Sequence, residues 1–304
     1  MSRIVVTGGA GRLGRSVVTA LADAGHEVFS FDREKLEGLA AEQVSVDLLD
    51  PDETRRAFER IRPAVVVHLA AIAVPGALPD PDIFRINTQL VWSVLAAALD
   101  SGTGSLLLAS SPTVIGYGSP SGWAPERLPL DEDHPVAPWN GYAASKVAME
   151  QIVQMAVRQH GDRMSFGVFR PCYVIAPEEW AGAPTQQGHT VAERIADPTL
   201  SAVALFNYVD ARDAGEFVAA WIAGASDVPN GSTFFVGAPD ALADGDTAVA
   251  VRAHLPALAP LSHQLTGTES VFSSARAERL LGWRATRLWR DQLTRTPVPQ
   301  EATR

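Results

Sequence analysis

The chain has 304 residues, of which 46% are hydrophobic and 20% are charged, as in a soluble globular protein of one large domain or slightly more. A formal net charge of −10 and a pI near 5.2 argue against a nucleic-acid-binding surface. The single cysteine, Cys172, excludes a disulfide framework and a cysteine-based metal site, and we predict no metal. We expect a cytoplasmic protein, because no stretch is long and apolar enough to span a membrane and the N-terminus enters a strand without a signal peptide.

A buried parallel strand is predicted over residues 3–7, because this run is short, apolar and β-branched. A glycine-rich loop and an amphipathic helix follow. The glycines permit a tight turn, backbone approach to a pyrophosphate and close packing of helix on strand, and the helix N-terminus offers N–H groups to phosphates. A plain glycine-rich turn is the alternative, but strand, loop and helix occur in the required order. The predicted cofactor contacts here are Gly8, Gly11, Arg12, Leu13 and Gly14.

A second strand, over residues 26–31, ends at Asp32, close to the expected spacing of about 20 residues for a ribose-binding acid. A carboxylate there accepts both adenosine ribose hydroxyls and repels a 2′-phosphate, which favours NAD over NADP. Arg12 and Arg33 argue weakly for NADP, since either could meet a 2′-phosphate. A turn residue at the end of a strand is the alternative interpretation of Asp32.

Strands and helices then alternate along the chain. Helices are predicted after Asp50, where acidic residues fill the first turn, and over residues 83–99. The segment 112–140 is a long loop, and a loop of that length inside a compact domain is usually functional. Further strands are predicted over residues 43–46, 64–71, 106–111 and 165–169. This βαβα order predicts an α/β fold with a doubly wound parallel sheet of the Rossmann type.

Only two lysines occur in the chain, and arginine supplies almost all other basic positions. Lys146 follows Tyr142 by four residues, so on a helix the ammonium and the phenol lie on the same face. An ammonium near a phenol lowers the tyrosine pKa from its usual value of about 10, as a general acid/base requires. An amphipathic helix with a buried tyrosine and a solvated lysine is the alternative, but a lysine at this spacing in an arginine-rich chain favours chemistry.

Beyond residue 171 the alternation loosens. Residues 176–198 are rich in Pro, Gly, Ala and Gln and indicate a lid or substrate-side segment, whereas a helix over residues 208–222 and a strand over residues 233–237 resume the earlier pattern. The predicted organisation is a dinucleotide-binding domain over residues 1–171, rejoined by residues 207–237, a smaller discontinuous C-terminal substrate-binding part over residues 172–206 and 238–290, and a frayed polar tail over residues 291–304.

Motifs spread along the chain resemble those of the extended short-chain dehydrogenase/reductases, specifically the NAD-dependent epimerase/dehydratase family. They occur in the family's order and spacing over nearly the whole chain, which is more specific than any single motif. The matching positions are residues 7–14, Asp32, Asp47, Leu48, residues 68–71, Asn87, Ser110, Ser111, Tyr142, Lys146, Arg170, Pro171 and residues 280–283.

The resemblance implies how the cofactor is held. Asp47 and Leu48 would frame the adenine, and Ala70 and Ala71 would line the dinucleotide. Asn87 is a further predicted cofactor contact. The family's cofactor is NAD, with NADP as the less favoured choice.

The resemblance also assigns the chemistry. Tyr142 would give and take the substrate proton, Lys146 would bind the nicotinamide ribose and depress the tyrosine pKa, and Ser111 would hydrogen-bond the substrate oxygen. Ser110 and Thr113 are fallback choices for this last role, because a one-residue shift in alignment is easy here. A strand-end cap is another interpretation of Ser111.

Some residues depart from the family pattern or carry no predicted chemistry. Where many members have a substrate-side Asn, this chain has Cys172 and Tyr173, which we take as substrate-side candidates. Residues 171–193 contain no Arg or Lys, which argues against a nucleotide-sugar diphosphate in this part. His68, inside an apolar strand, and Trp92, on the long helix, are interpreted as packing residues.

We therefore expect an NAD(P)-dependent oxidoreductase that transfers hydride at a secondary alcohol or ketone of a sugar or sugar-like substrate. The alternative within enzymes is a sugar or nucleotide-sugar epimerase or dehydratase that retains its NAD. An alternative of another class is a non-catalytic dinucleotide-sensing regulator. Intact Ser111, Tyr142 and Lys146 argue against a regulator, because a sensor does not need all three.

A homodimer is predicted through two long helices, over residues 83–99 and 142–159. Both carry more apolar surface than one sheet-facing stripe requires, and helices apolar on more than one face are buried on more than one side. The resembled family commonly pairs these helices across a two-fold axis, the commonest closed symmetry. The alternative is that the loop over residues 112–140 covers the second face within one chain.

Overall fold

A computed structural model describes residues 1–295, in which seven parallel strands form one sheet in the order β3-β2-β1-β4-β5-β6-β9. A second, two-stranded parallel sheet pairs β7 with β8. The strands are β1 (Arg3–Thr7), β2 (Glu27–Asp32), β3 (Glu42–Ser45), β4 (Val65–His68), β5 (Ser105–Ala109), β6 (Ser165–Pro171), β7 (Val174–Ile175), β8 (Val209–Asp210) and β9 (Ser232–Val236). The strand order runs outward in both directions from β1, so the predicted doubly wound sheet is confirmed.

Helices connect the strands and form the C-terminal part. They are α1 (Arg12–Asp23), α2 (Pro51–Ile61), α3 (Asp80–Asp100), α4 (Gly141–His160), α5 (Pro177–Trp180), α6 (Val191–Ala196), α7 (Thr199–Ala202), α8 (Ala211–Gly224), α9 (Thr247–His254), α10 (Ala275–Leu281) and α11 (Trp289–Arg295). Two 3₁₀ helices, Pro112–Ile115 and Ala259–Gln264, lie between them. Within residues 1–295, no helix combines the length and the apolarity that crossing a bilayer requires.

Helices cover both faces of the sheet. Because successive side chains of a strand point to opposite sides, each strand contributes to two hydrophobic cores. Ile4 and Val6 of β1 pack into the core that α1 and α8 cover, whereas Val5 packs into the core under α2, α3 and α4. Covering helices on both faces explain why the strands are apolar without alternation. This layering places the carboxyl ends of all seven strands at one edge of the sheet, where ligands bind in folds of this kind.

Several predicted boundaries were wrong for local physical reasons. Strand β4 ends at His68, not at residue 71, because the N–H groups of Leu69 and Ala70 turn to the Thr7 hydroxyl at 3.2 Å. Helix α3 begins at Asp80, three residues early, with a proline in its first turn. The helix predicted from residue 208 starts at residue 211, because residues 209 and 210 pair with β7.

The division into domains stays a prediction. Strand β9 pairs in parallel with β6, and α8 packs against α1, so this stretch of chain lies with the large sheet. The predicted tail begins inside α11, which runs through Arg295, so its first residues are helical. The rest of that tail, residues 296–304, lies outside the described residues.

The long loop over residues 112–140 is tied to the C-terminal part. Leu130 N donates to Val271 O at 2.7 Å, and Ser273 N donates to Leu130 O at 2.8 Å. The outer face of α3 is left with Phe84 at 42% and Trp92 at 47% exposure. The loop therefore does not cover these two side chains, and the prediction that Trp92 is a packing residue is wrong within one chain.

Candidate active site

The glycine-rich loop makes a tight turn between β1 and α1. Gly8 has a φ of +71°, and a Cβ on it would lie 2.9 Å from Ala70 N. A Cβ on Gly14 would lie 2.7 Å from Gly9 Cα, so helix and loop approach too closely for a side chain. Gly11 gives α1 no side-chain cap, so the first-turn N–H groups can hold phosphate oxygens. This backbone cradle fits the pyrophosphate of a dinucleotide.

Strand β2 delivers Asp32 to the rim of this cradle. One carboxylate oxygen accepts from Ala10 N at 3.3 Å, and the other accepts from Arg33 N at 2.8 Å. The carboxylate is half-buried, so it keeps acceptor capacity toward the solvent side. This position fits the adenosine ribose of a dinucleotide.

Arg12, predicted to contact the cofactor, is held by the C-terminal part of the protein. Its guanidinium donates to Glu179 Oε1 at 2.5 Å and to Val174 O at 3.1 Å. Arg15, one turn later, forms an ion pair with Glu178. Because Glu179 neutralises its charge, Arg12 is a poor ligand for a 2′-phosphate. Of the two arginines that argued weakly for NADP, only Arg33 then remains.

The residues predicted to frame the adenine and to line the dinucleotide stand at the same sheet edge. Asp47 and Leu48 follow β3, with Asp47 exposed and Leu48 packed into the core at 4% exposure. Ala70 and Ala71 follow β4 and are half-buried. The structure thus places Asp47, Ala70 and Ala71 just after the carboxyl ends of β3 and β4, whereas Leu48 is packed in the core.

Asn87, a further predicted cofactor contact, is hydrogen-bonded within the protein. It is fully buried on α3, where its Oδ1 accepts from Ile72 N at 2.7 Å. Its Nδ2 donates to Ile72 O at 3.2 Å and to Ser145 Oγ at 2.9 Å. The amide is therefore occupied by protein groups and connects the segment after β4 to the helix that carries Tyr142.

Ser111 and Tyr142 meet at the carboxyl end of β5. Ser111 is buried and caps the 3₁₀ helix, since its Oγ accepts from Thr113 N at 3.3 Å and from Thr113 Oγ1 at 3.0 Å. Burial raises the pKa of Tyr142, and a hydrogen bond with the Ser111 side chain lowers it by less. The capping role and the predicted contact with a substrate oxygen are compatible, because Ser111 also reaches the phenol.

Lys146 lies beneath Tyr142 at 3% exposure. Its Nζ donates to Ala109 O at 3.0 Å and lies 5.8 Å from the centroid of the Tyr142 ring. Burial lowers the lysine pKa to about 8, and the neighbouring Glu150 partly offsets this effect. The predicted lowering of the Tyr142 pKa is wrong for the protein alone, because the loss of hydration outweighs an ammonium held by a carbonyl.

One turn further along α4, Glu150 forms a buried ion pair with Arg170 of β6. Arg170 Nε donates to Glu150 Oε1 at 2.9 Å, and Nη2 donates to Oε2 at 2.8 Å. Ser110 Oγ donates to the same carboxylate at 2.5 Å. Because the Ser110 hydroxyl is bonded to Glu150, it is a poor alternative to Ser111 as the group that contacts the substrate oxygen. The sequence analysis did not identify Glu150.

Tyr117, in the long loop, is a further residue that the sequence did not single out. Burial raises the pKa of its phenol, and Cys172 and Tyr142 add to that rise through their charges. Its hydroxyl hydrogen-bonds with the Asn207 side chain. The chain contains only four tyrosines, and this scarcity is the one feature of the sequence that could have drawn attention to Tyr117.

The remaining predicted residues divide between core and cleft. Cys172 is 2% exposed, and burial raises the pKa of its thiol, so it is a core residue and not a substrate contact. Tyr173 is half-buried, with its ring 4.3 Å from the guanidinium carbon of Arg194. His68 is 1% exposed and its Nδ1 lies 2.7 Å from Thr7 Oγ1, as expected for a packing residue. Burial lowers its pKa to about 3.

Comparisons with known proteins agree with this geometry. A UDP-glucose 4-epimerase from Azospirillum brasilense is 34% identical over 168 residues, which are 53% of this chain and 46% of that protein. An L-arabinose 1-dehydrogenase (NAD(P)(+)) from Haloferax volcanii is 35% identical over 167 residues, 53% of this chain and 63% of that protein. Both matches span less than two thirds of the relative.

A crystal structure of a Thermus thermophilus UDP-glucose 4-epimerase in complex with NAD superposes with a TM-score of 0.67 at 25% identity, covering 96% of each chain. The NAD dependent epimerase/dehydratase family matches residues 4–237. This match covers the dinucleotide cradle, Ser111, Tyr142 and Lys146, and it confirms the resemblance predicted from the motifs. The chain belongs to the NAD dependent epimerase/dehydratase family.

Proposed function

We propose that the protein is an NAD-dependent oxidoreductase acting on a secondary alcohol or ketone of a sugar or sugar-like substrate. The observation that carries the proposal is the convergence of Ser111, Tyr142 and Lys146 at the carboxyl end of β5. All three are buried, and they lie at the same edge of the sheet as the backbone cradle, because β1 and β5 are parallel strands of one sheet. The named dehydrogenase and epimerase relatives support a carbohydrate substrate.

NAD, when bound, would exchange a hydride with the substrate carbon. The first turn of α1 and the glycines of the loop would hold its phosphates, and Asp32 would accept its adenosine ribose hydroxyls. Lys146, whose Nζ is now held by Ala109 O, keeps two further N–H groups for the nicotinamide ribose. NAD is favoured over NADP because Asp32 carries negative charge at the ribose position and Arg12 is paired with Glu179.

The chain's own residues then handle the substrate oxygen. Ser111 donates a hydrogen bond to that oxygen, and Tyr142 Oη takes its proton during alcohol oxidation or returns it during ketone reduction. Because burial raises the Tyr142 pKa, the phenol is protonated near neutral pH in the protein alone. A protonated phenol suits ketone reduction, whereas alcohol oxidation requires the phenolate and accelerates as pH rises.

The test is the appearance of NADH when the purified protein is given NAD and a panel of sugars and polyols. We expect turnover with at least one of them, at a rate that increases with pH. Protein-bound nucleotide is measured on the same preparation after denaturation. No NADH from any substrate, together with no reverse oxidation of NADH by the matching ketones, refutes the dehydrogenase.

A sugar or nucleotide-sugar epimerase is the second candidate, favoured by the 34% identical UDP-glucose 4-epimerase. Its signature differs, because an epimerase returns the hydride to the same substrate carbon within one cycle, so that no NADH would accumulate. Interconversion of UDP-glucose and UDP-galactose by chromatography, with nucleotide that survives gel filtration, supports the epimerase. If the protein binds NAD specifically but shows neither dehydrogenase nor epimerase activity, the dinucleotide-sensing regulator is the remaining alternative.

A further inference from the structure

Arg194, on α6, is a buried guanidinium without a carboxylate partner. The residue is 1% exposed, and its recorded hydrogen bond is from Nη1 to Gln187 Oε1 at 2.5 Å. Its Nε is buried and has no hydrogen-bond partner in the described part of the chain. The nearby Glu179 is occupied by Arg12 at 2.5 Å. A buried charge in this state is destabilising unless an anion reaches it.

Arg170 shows what a structural arginine of this protein does at the same depth. It is 4% exposed and places two N–H groups on Glu150, at 2.9 and 2.8 Å. Arg194 is as deeply buried but has only a neutral amide and the Tyr173 ring beside it, with the guanidinium carbon 4.3 Å from the ring centroid. Arg170 also has one buried nitrogen, Nη1, without a hydrogen-bond partner in the described residues, but Glu150 balances its charge, whereas no carboxylate is bonded to Arg194 there.

A second buried polar atom lies in the same place. Tyr173 Oη has no hydrogen-bond partner among residues 1–295, although the backbone of Tyr173 is fixed by Asn207 Oδ1 at 2.7 Å. Asn207 is also a hydrogen-bonding neighbour of the Tyr117 phenol, whose pKa responds to Tyr142. The backbone of Tyr173 is therefore fixed by a side chain that also neighbours Tyr117.

We propose that Arg194 and Tyr173 form a subsite for an anionic group of the substrate, a carboxylate or a phosphate. The subsite deepens the proposed function and rests on it. A guanidinium presents two parallel N–H donors to such a group, and the Tyr173 hydroxyl adds a third donor. Arg194 is the first Arg or Lys after Arg170 in the chain, so it is the cation that the substrate-side segment otherwise lacks.

The experiment compares three hexoses that differ only at one end, in both the gluco and galacto series: the neutral sugar, the hexuronate and the hexose 6-phosphate. For NAD-loaded wild type, we expect kcat/KM for one anionic sugar to exceed that for its neutral counterpart by at least about tenfold. In Arg194→Gln this ratio falls at least about tenfold, whereas Arg194→Lys retains part of it. Arg252→Gln, which removes an exposed helix arginine bonded to Ser262 Oγ at 3.2 Å, keeps the wild-type ratio.

Thermal unfolding with the same sugars provides a readout independent of turnover. The preferred anionic sugar should raise the melting temperature of wild type and of Arg252→Gln but not of Arg194→Gln. The carboxylate and phosphate arms identify which anion is bound. If Arg194→Gln does not fold, Tyr173→Phe serves instead, and we expect weaker anion binding with little change in packing.

Three results overturn the subsite. One is equal kcat/KM for neutral and anionic sugars with no anion-dependent stabilisation of wild type. The second is an unchanged preference in Arg194→Gln, and the third is unchanged anion affinity in Tyr173→Phe. Anion-dependent stabilisation that requires Arg194, without NADH formation from any sugar, upholds the subsite and refutes the proposed reaction, so the two failures are distinguishable.

Discussion

The buried ion pair between Glu150 and Arg170 supplies a sharp stability test. Glu150→Gln keeps the shape of the side chain but removes its charge. Arg170 then faces a neutral amide, while its Nη1 is already buried without a hydrogen-bond partner in the described residues. Ser110 Oγ loses the ionised acceptor that it contacts at 2.5 Å. The substitution therefore leaves an uncompensated cation in the interior.

The expected magnitude follows from the depth of the pair. Both side chains are less than a tenth exposed, at 9% and 5%, so water screens neither charge. Breaking such a pair by removing one partner lowers the free energy of unfolding by about 3–5 kcal/mol. The i,i+4 pair of Arg55 and Glu59 is the matched control, with side chains 43% and 53% exposed. For Glu59→Gln we expect a loss below about 0.5 kcal/mol.

Urea unfolding followed by circular dichroism measures both variants against wild type. The double variant Glu150→Gln/Arg170→Met should recover most of the lost stability, because it removes both charges and replaces them with a neutral amide and an apolar side chain. If Glu150→Gln loses no more than Glu59→Gln, the argument from burial is refuted. If Glu150→Gln alone leaves too little folded protein to measure, the argument from burial is contradicted when the double variant also fails to fold.

Further predictions concern the acid/base, the cofactor, the buried lysine and assembly. Tyr142→Phe should abolish turnover with little change in NAD affinity by fluorescence titration, and more than about a tenth of wild-type kcat/KM remaining rules Tyr142 out as the acid/base. NAD should bind more tightly than NADP, and Asp32→Ala should reduce the ratio of the two dissociation constants. A wild-type protein that prefers NADP refutes the role of Asp32. Without nucleotide, Lys146→Met should raise the unfolding free energy by up to about 3 kcal/mol below pH 8, because the lysine pKa falls from 10.5 in the unfolded chain to about 8 on folding. This gain in unfolding free energy should shrink between pH 8 and 10.5, where the folded lysine loses its proton. If urea titrations show the same gain at about pH 7 and about pH 10, the prediction is wrong. Light scattering should show a homodimer that Phe84→Glu/Trp92→Glu dissociates, since both side chains are more than 40% exposed, whereas a wild-type mass of 32.4 kDa excludes the dimer.

The sequence predicted those features that depend on a few neighbouring residues. The glycine-rich turn, Asp32 at the end of β2 and the spacing of Tyr142 and Lys146 each lie within one turn or one strand–loop–helix unit. The doubly wound parallel sheet followed from the alternation of strands and helices, because parallel strands need crossover helices. These features could be predicted because local backbone geometry and periodicity determine them.

Features that depend on burial or on distant contacts could not be predicted. Helical spacing placed Lys146 on the same face as Tyr142, but it did not show that both are buried deeply enough for hydration loss to raise the tyrosine pKa. Glu150 and Arg170 are 20 residues apart, and Arg12 and Glu179 are 167 apart, so no local pattern indicates that either pair forms. Long-range pairing of charges is a property of the packed fold.

Glu179 links the two ends of the candidate site through its charge. Its Oε1 accepts from Arg12 beside the dinucleotide cradle, and its Oε2 accepts from Ala176 N at 2.8 Å. With both oxygens engaged, this carboxylate fixes the C-terminal part against α1 and is not available to neutralise Arg194 directly. The ion pair that takes Arg12 away from a 2′-phosphate thus engages a carboxylate that acts on Arg194 only through its nearby charge. Glu179→Gln should therefore weaken the preference for NAD, because it releases Arg12. It should leave the preference for an anionic substrate in place, because Arg194 then loses a nearby negative charge.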